Sequence, residues 1–401
     1  MLTKIRIQNF RSFKDLTIRC GAFNAFVGAN SAGKTNLIKA FEFLKDAFYR
    51  GASTALAGQG GWANVRNRRS YSKKIAFEFE GQVPVPIPQE AIPMQSSFFY
   101  SIGFLKDPQS FEDLTIISER GSLSGSDPRW PNTGVLSSFH RDSEHIEIAG
   151  LWEQARTDTI VSTQQIPRPA SADRLSLSDF TCVASAFIAQ HVRNWRMYNV
   201  DPDVSRSPSR ITEGEELWES GSNLASVLRQ LSKDSALADR FLEVLKSLIP
   251  EFEGWETSTL ADGRITYRVR EHSIRPPFPP SSVSDGTIRL LMLLSALLNS
   301  RRRPSTVFIE EPERSLHPLV MHQLVELMRE VSKDTQVFVT THSPDFVRHC
   351  RPEEVFLMDK AQGTTRVMRA SSISRINKFL EQFSLDELWT MGYLEAGIPN
   401  A

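Results

Sequence analysis

The stretch GANSAGKTN, at residues 28–36, has the residue types of a phosphate-binding loop. Gly28 and Gly33 let backbone amides wrap a phosphate, Lys34 can reach the terminal phosphates, and the Thr35 hydroxyl can ligate magnesium. An apolar run, AFNAFVG, precedes the loop and a helical pattern follows it, as such a loop requires. The spacing therefore predicts a site for nucleotide phosphates between a strand and a helix.

Two carboxylates end a second apolar run, TVFIE, at residues 306–310. Successive strand residues point to opposite sides of a sheet, so Glu310 and Glu311 should do different work. We expect Glu310 to take part in magnesium binding and Glu311 to act as the base that orients an attacking water. A solvated acidic cap is the alternative, and the phosphate loop in the same chain favours the chemical interpretation.

A histidine, His342, follows the next apolar strand in the stretch VFVTTHSPDF. The carboxyl ends of neighbouring parallel strands meet at one edge of a sheet, so His342 should lie beside the acidic strand. A lone histidine is usually an ordinary polar side chain. At this edge we expect it to hold the γ-phosphate or the water.

A second small turn, SVSDGT at residues 282–287, opens another apolar helix. Ser284 is a good N-cap and Gly286 permits close backbone approach, so the turn presents amides and a hydroxyl to an anion. One nucleotide does not need two such turns from the same molecule. We therefore predict that this turn caps the nucleotide of a second copy, in an ATP sandwich dimer.

The elements around these motifs predict an α/β protein with a mainly parallel sheet. Residues 1–150 read as a β-rich part with an N-terminal antiparallel portion, residues 151–260 as an inserted helical lobe, and residues 261–401 as alternating helices and strands. A run such as DFTCVASAFIAQHVRNWRMY, at residues 179–198, is interpreted as helix.

Composition narrows the function classes. Lys plus Arg and Asp plus Glu both number 47, so no global field draws the chain to nucleic acid, and a DNA contact must be a local patch. The stretch WANVRNRRSYSKK, at residues 62–74, is a candidate for that patch, although such a run is more often a solvated loop. The three scattered cysteines favour a reducing cytoplasm, and the longest apolar stretch is too short to span a bilayer. We expect a cytoplasmic protein without a membrane partner.

The order of GANSAGKTN, VSDGT, IEEPERSLHP and TTHSP resembles that of ABC-type ATPases of the RecF, SMC and OLD (overcoming-lysogenization-defect) branch. The opening IRIQNFRSF, the stretch GSNLASVL and the ending DELWTMGYL are similar to that branch as well. The resemblance covers the first 50 residues, the last 120 or so, and scattered points between. It implies an ABC-type P-loop NTPase head whose two halves flank the helical lobe.

The resemblance also implies roles for single residues. Lys34, Glu311 and His342 would be catalytic, and Thr35 and Glu310 would bind the metal. The cofactors would be ATP and Mg²⁺. The residues that would bind nucleotide are Arg11, Gly28, Asn30, Ser31, Gly33, Lys34, Thr35, Asn36, Ser284, Asp285, Gly286, Thr287 and Ser315.

This chain departs from the family pattern in three places. Glu310 stands where aspartate is more usual, the signature is SDG instead of SGG, and no Q-loop can be placed, with Gln164 and Gln165 as unsupported candidates. The last two departures bear on the turnover rate.

For partners, the resemblance implies a homo-oligomer, at least a dimer. OLD-like relatives often carry a nuclease module after the ATPase. The stretch after His342 has no obvious carboxylate cluster, so we expect a separate effector or toxin. By analogy we favour phage defence over RecF-like DNA repair, with DNA as a further partner. A nucleotide-gated scaffold with little turnover is the alternative from another class.

Overall fold

A computed structural model gives the architecture of most of the chain. It describes residues 1–85, 94–107, 113–125, 135–142, 145–150, 162–167, 174–175, 182–211, 216–299, 306–374 and 376–394. These residues form an antiparallel sheet, a mainly parallel sheet and a two-stranded hairpin, with helices packed between and around them.

The antiparallel sheet has eight strands in the order β2-β1-β4-β5-β6-β7-β8-β9. Apolar and polar residues alternate along β1 and β2, which buries one face and leaves the other in solvent. The strands are β1 Leu2–Phe10, β2 Phe13–Arg19, β4 Lys74–Val85, β5 Met94–Lys106, β6 Leu114–Gly125, β7 Val135–Arg141, β8 His145–Gly150 and β9 Ser162–Pro167.

The central sheet has six strands in the order β10-β13-β14-β3-β15-β16, and every neighbouring pair is parallel except β15 with β16. Its registers pair Glu310 with Thr340 and Thr341 with Val27, which brings three strand ends to one edge. The strands are β3 Phe23–Val27, β10 Trp195–Tyr198, β13 Thr306–Glu310, β14 Gln336–Thr341, β15 Val355–Ala361 and β16 Thr364–Arg369.

The helices are amphipathic or fully buried segments that cover these sheets. They are α1 Lys34–Arg50, α2 Ala52–Gly58, α3 Trp62–Val65, α4 Val183–Arg193, α5 Pro202–Ser205, α6 Leu224–Leu231, α7 Ser235–Leu248, α8 Asp285–Asn299, α9 Met321–Val331, α10 Pro344–Arg348, α11 Ile376–Leu380 and α12 Leu385–Thr390. The hairpin consists of β11 Phe252–Thr259 and β12 Ile265–Glu271. None of the helices in the described ranges is long and apolar enough to cross a membrane.

The two faces of the central sheet belong to different cores. One face carries a row of phenylalanines from four adjacent strands, with Phe338 stacked on both Phe308 and Phe26, and Phe26 stacked on Phe356. This row packs against α1 and the antiparallel sheet. Aliphatic neighbours such as Val307 and Val339 face α8 and α9 instead. The central sheet is therefore covered on both sides, as a parallel sheet requires.

The run predicted as one helix over residues 179–198 is different in the structure. Residues 179–181 of this run lie outside the described residues. Cys182 caps a shorter helix, α4, which begins at Val183 and ends at Arg193, and Trp195–Tyr198 continue as strand β10. Trp195 is buried against Phe41 and Phe79, and β10 adds to the edge of the central sheet beside β13. Burial of this strand outweighs the helical pattern. Part of the stretch 151–260 lies outside the described residues, and its limits as a helical lobe stay a prediction.

Candidate functional site

The phosphate loop is closely fitted to its surroundings. Gly33, in the left-handed region at φ 110°, ends the loop, and α1 begins at Lys34. A Cβ on Gly33 would lie 2.3 Å from the Thr365 hydroxyl, and one on Gly28 would lie 2.2 Å from the Met358 carbonyl oxygen. Contacts this short do not occur, so both positions need glycine. The first turn of α1 has no acidic residue and no side-chain cap, which leaves its amides to an anion.

Lys34 folds back over this loop. Its ammonium group donates to the carbonyl oxygens of Gly28, at 2.7 Å, and Ala29, at 3.1 Å. Burial lowers the pKa of Lys34, while the charges of Glu311 and Glu313 raise it. The cation therefore lies against the loop, and the carboxylates that follow β13 influence its charge.

A polar network braces the loop from the far end of the chain. The Thr365 hydroxyl lies 2.7 Å from both the Ser12 hydroxyl and the Ala32 carbonyl oxygen, and Asn36 donates to Ser12 at 2.8 Å. Asn36, predicted to bind nucleotide, thus contacts the brace. Sequence reasoning missed Ser12 and Thr365, because nothing in the local pattern around either residue indicates that they meet.

Glu310 and Glu311 diverge as the strand alternation predicts. Glu310 shares the face of Phe308, which contacts Phe41 of α1, so this carboxylate lies on the α1 side of β13. Burial and Glu42 raise the pKa of Glu310, whereas Lys39 lowers it. Glu311 has a positive φ of 44°, and its backbone N–H donates to the Thr340 carbonyl at 2.8 Å. Its side chain turns toward β14.

The Glu311 side chain contacts His342. The Nδ1 atom of His342 lies 3.1 Å from Oε1 of Glu311 and 3.9 Å from Oε1 of Glu313. Both His342 and Glu311 are partly exposed, so solvent can reach them. The predicted neighbourhood of base and histidine is present.

Glu313 is a third carboxylate that sequence reasoning did not single out. Its Oε1 accepts from the Thr341 hydroxyl at 2.6 Å, and its buried Oε2 has no hydrogen-bond partner among the residues that the structure describes. Burial raises the pKa of Glu313, while the hydrogen bonds to it lower that pKa. Glu313 therefore holds in place the backbone segment that carries His342. The run EEPER shows that charged residues are concentrated here, but the sequence does not indicate which of its glutamates is buried.

Magnesium fits the chemistry of this edge. Thr35 is exposed at the start of α1, and Glu310 is a half-buried carboxylate with a raised pKa. A nearby cation would stabilise the charged form of Glu310 and so lower that pKa. No cluster of three or more His, Cys, Asp or Glu side chains suited to a metal occurs in the described parts of the chain. Magnesium does not need such a cluster, because waters and phosphates complete its shell.

Arg11 and the residues of its turn lie beside the loop. Arg11 has a positive φ of 47°, and its guanidinium donates to Gln59 and lies over the Phe10 ring. Burial lowers the pKa of Arg11, and the charge of Glu42 raises it. Asn30 and Ser31 are exposed at the crown of the phosphate loop, with Ser31 at φ 68°.

The turn at residues 284–287 has its own supports. The Ser284 hydroxyl accepts from the Thr287 N–H at 3.1 Å, as an N-cap does. Asp285 is ion-paired with Arg206, whose guanidinium also donates to the Val283 carbonyl at 2.8 Å. A Cβ on Gly286 would lie 2.8 Å from the Ser315 carbonyl oxygen, so this glycine allows Ser315 to approach.

Arg289 connects this helix to the acidic strand. Its buried guanidinium donates to the carbonyl oxygens of Val200, at 2.9 Å, and Glu311, at 2.7 Å. No hydrogen bond among the described residues joins the turn at 284–287 directly to the loop at 28–36. The structure thus brings Lys34, Glu311 and His342 together and holds the second turn apart by its own contacts.

A separate groove of about 860 Å³ lies at the amino end of β3. Its lining includes Gly21, His322, Arg329 and Glu354. The phosphate loop follows the carboxyl end of the same strand, so the groove is not the nucleotide site.

Known proteins share this architecture. The family model described as "AAA domain, putative AbiEii toxin, Type IV TA system" matches residues 23–348. An OLD nuclease of Thermus scotoductus is 21% identical over 366 residues, which are 90% of this chain and 62% of the relative. The chain thus spans less than two thirds of that relative.

Two solved structures are similar to the whole fold. An Smc head bound to the C-winged helix domain of ScpA has a TM-score of 0.54 at 14% identity and covers 92% of this chain and 97% of its own. An Smc head with an extended coiled coil, bound to the C-terminal domain of ScpA from Pyrococcus furiosus, has a TM-score of 0.51 at 13% identity, with 95% and 99% covered. The predicted ABC-type head fold is confirmed.

Proposed function

The chain belongs to this AAA-domain family, as an ABC-type ATPase of the RecF, SMC and OLD branch, and we propose that it hydrolyses ATP in a sandwich dimer. The main support is the 3.1 Å contact between Nδ1 of His342 and Oε1 of Glu311, at the sheet edge where Lys34 folds over the phosphate loop. A base, a polar partner for it and a phosphate-seeking cation then meet at one edge of the sheet. That combination suits phosphoryl transfer to water.

Each residue has a step in this proposal. Lys34 exchanges the Gly28 and Ala29 carbonyls for the terminal phosphates, and the amides of the loop hold the anion. Glu311 accepts the proton of the attacking water while His342 keeps that carboxylate in place. Thr35 and Glu310 would hold Mg²⁺, which supplies positive charge to the phosphates.

The dimer follows from the second turn. Its amides and hydroxyl suit an anion, but its contacts within the chain go to Arg206 and Ser315. A second copy is the partner that would place Ser284, Gly286 and Thr287 over the phosphates bound by the first. Asp285, Ser315 and Arg11 would line the same closed site.

For the biological role, we propose that nucleotide state gates an action on DNA or on a partner effector, in phage defence. The family description names a toxin system, and the relative is a nuclease, which supports this class of role. RecF-like DNA repair is the alternative. A scaffold that binds ATP with little turnover is favoured by one contact, because Arg206 restrains Asp285 in the signature turn.

The test compares Glu311→Gln with wild type. We expect Glu311→Gln to double in mass with Mg-ATP, measured by light scattering, since it can close on ATP without splitting it. Wild type should release phosphate over many turnovers. Glu243→Gln, the same change on the exposed side of α7, should behave as wild type.

Other outcomes separate the alternatives. Dimerisation with ATP but no wild-type turnover favours the scaffold. An unchanged mass for Glu311→Gln, with turnover retained in Ser284→Arg, rules out the sandwich.

A further inference from the structure

The segment of residues 62–74 differs in charge from the chain as a whole, in which positive and negative residues balance. It contains five basic residues and no acidic residue, while the whole sequence has 47 of each sign. All five side chains are exposed, and none forms an ion pair within the described residues. We call residues 66–74, which end at the first residue of β4, the cationic loop; its charged members are Arg66, Arg68, Arg69, Lys73 and Lys74.

The two aromatic residues of the segment have different roles. Trp62 is only partly exposed and packs against the core beneath the antiparallel sheet. Tyr71 is fully exposed, with its ring between the two groups of cations along the chain. An aromatic ring held in solvent among cations can stack on a base.

The cationic loop is anchored through its backbone. Asn67 is buried, its N–H donates to the Asn9 carbonyl at 2.8 Å, and its side-chain oxygen accepts from the Arg69 N–H at 3.0 Å. Just before the loop, the Val65 carbonyl accepts from the Arg11 N–H at 2.6 Å. The cations are therefore presented from a fixed base, which reduces the entropy lost on binding.

We propose that the cationic loop binds the sugar–phosphate backbone of single-stranded nucleic acid, with Tyr71 stacked on a base. Five exposed cations in a run of nine residues suit closely spaced phosphates, and the free ring favours unpaired bases over a lipid surface. This deepens the proposed function, because it names the partner class and its surface. It rests on that function only for the link to ATP.

The link runs through the turn of residues 9–12. Asn9 and Arg11 hold the loop segment through the two backbone hydrogen bonds described above, and Ser12 belongs to the network that braces the phosphate loop. The bound strand and the nucleotide therefore share one short turn.

The test measures binding of a fluorescent oligothymidylate of about 20 nucleotides by anisotropy, without ATP, over a range of salt concentrations. The variant Arg66→Ala/Arg68→Ala/Lys73→Ala should bind roughly ten- to hundredfold more weakly at about 0.1 M salt, and the slope of log affinity against log salt should fall by about 2. Tyr71→Ala should lose roughly five- to hundredfold with no change in slope.

The matched control is Lys233→Ala/Lys246→Ala/Arg268→Ala, which removes three exposed cations outside the loop. It should bind as wild type does. Equal losses in the two triple variants would overturn the proposal, since they indicate a diffuse charge effect.

Two further results would also overturn it. One is wild-type binding to vesicles containing phosphatidylserine but not to the oligonucleotide, and the other is no oligonucleotide binding at low salt. ATP turnover, measured alongside, keeps the cases distinct. Turnover without strand binding removes the loop proposal alone, and strand binding without turnover removes the ATPase proposal alone.

Discussion

The phosphate loop at residues 28–36 and the turn at residues 284–287 both precede an apolar helix, but their surroundings differ. The first is enclosed by its own chain, with Lys34 over it and Thr365 and Met358 against its glycines. The second is ion-paired to Arg206 and approached closely by the Ser315 backbone, and the Asp285 side chain remains largely exposed. Both are small glycine-containing turns. Contacts from distant residues enclose the phosphate loop, which we call the cradle, and leave the turn at residues 284–287, which we call the cap, open to solvent.

The largest effect on ATP turnover should come from removing the lysine of the phosphate loop. Lys34→Ala should lower ATP turnover by at least about 10³-fold and abolish ATP binding, because the charge that meets the terminal phosphates is lost. Phosphate release and equilibrium binding of a fluorescent ATP analogue measure both effects. Lys246→Ala is the control, and turnover within about tenfold of wild type would contradict the assigned role of Lys34.

A smaller and different effect should come from blocking the cap. Ser284→Arg should lower turnover by about 10²-fold, because a cap over the phosphates is lost, while each chain still binds ATP. Turnover and binding of the same analogue separate the two properties. A parallel loss of binding would mean that the turn serves its own chain.

Mixing the two defective variants sharpens the comparison further. Lys34→Ala and Ser284→Arg should restore roughly a quarter of wild-type turnover at equal amounts, since half of the dimers carry one intact composite site. Phosphate release from the mixture, against each variant alone, is the measurement. No recovery under conditions that allow exchange of chains would count against a site shared between copies.

A smaller effect should come from the hydroxyl network that braces the phosphate loop. Thr365→Val keeps the shape but removes a hydrogen bond from the Ala32 carbonyl and leaves Ser12 with Asn36 alone, so the free energy of unfolding should fall by about 1–3 kcal/mol. Chemical denaturation measures this fall. Thr364→Val, the neighbouring residue of β16, is the control, and equal losses would mean that the hydroxyl network does not brace the loop.

The smallest expected effect concerns Glu313. Its folded-state pKa is raised above 4.5, so its stabilising, protonated form is present below that pH and is lost as the pH rises through the raised value. Glu313→Gln keeps the acceptor for Thr341 and cannot ionise. We expect this variant to match wild type in acid and to be more stable by roughly 1 kcal/mol at alkaline pH. Melting curves over this pH range test it, and a constant difference would contradict it.

The motifs could be predicted from sequence because each is short and local. GANSAGKTN, the glutamates after TVFIE and the histidine after VFVTT all stand at strand ends, and parallel pairing brings such ends to one edge. The mainly parallel sheet followed from the alternation of strands and helices, for the same reason.

What joins these motifs could not be predicted in this way. Thr365 and Ser12 are 353 positions apart, and Arg289 reaches a backbone carbonyl, which leaves no mark on sequence pattern. Strand β10 was missed because WRMY directly continues a helical pattern, and only its place beside β13 makes it a strand. Local sequence patterns therefore predict the motifs, whereas the contacts that hold the motifs in place depend on residues far apart in the sequence.

The hairpin of β15 and β16 has a consequence for synthesis of the protein. Thr365 is translated 333 residues after Ala32, a delay of roughly 15 to 70 seconds at ordinary rates of elongation. During that interval a nascent chain has its phosphate-loop sequence but neither wall of the cradle. The phosphate loop therefore gains these supports only after nearly all of the described residues have been synthesised.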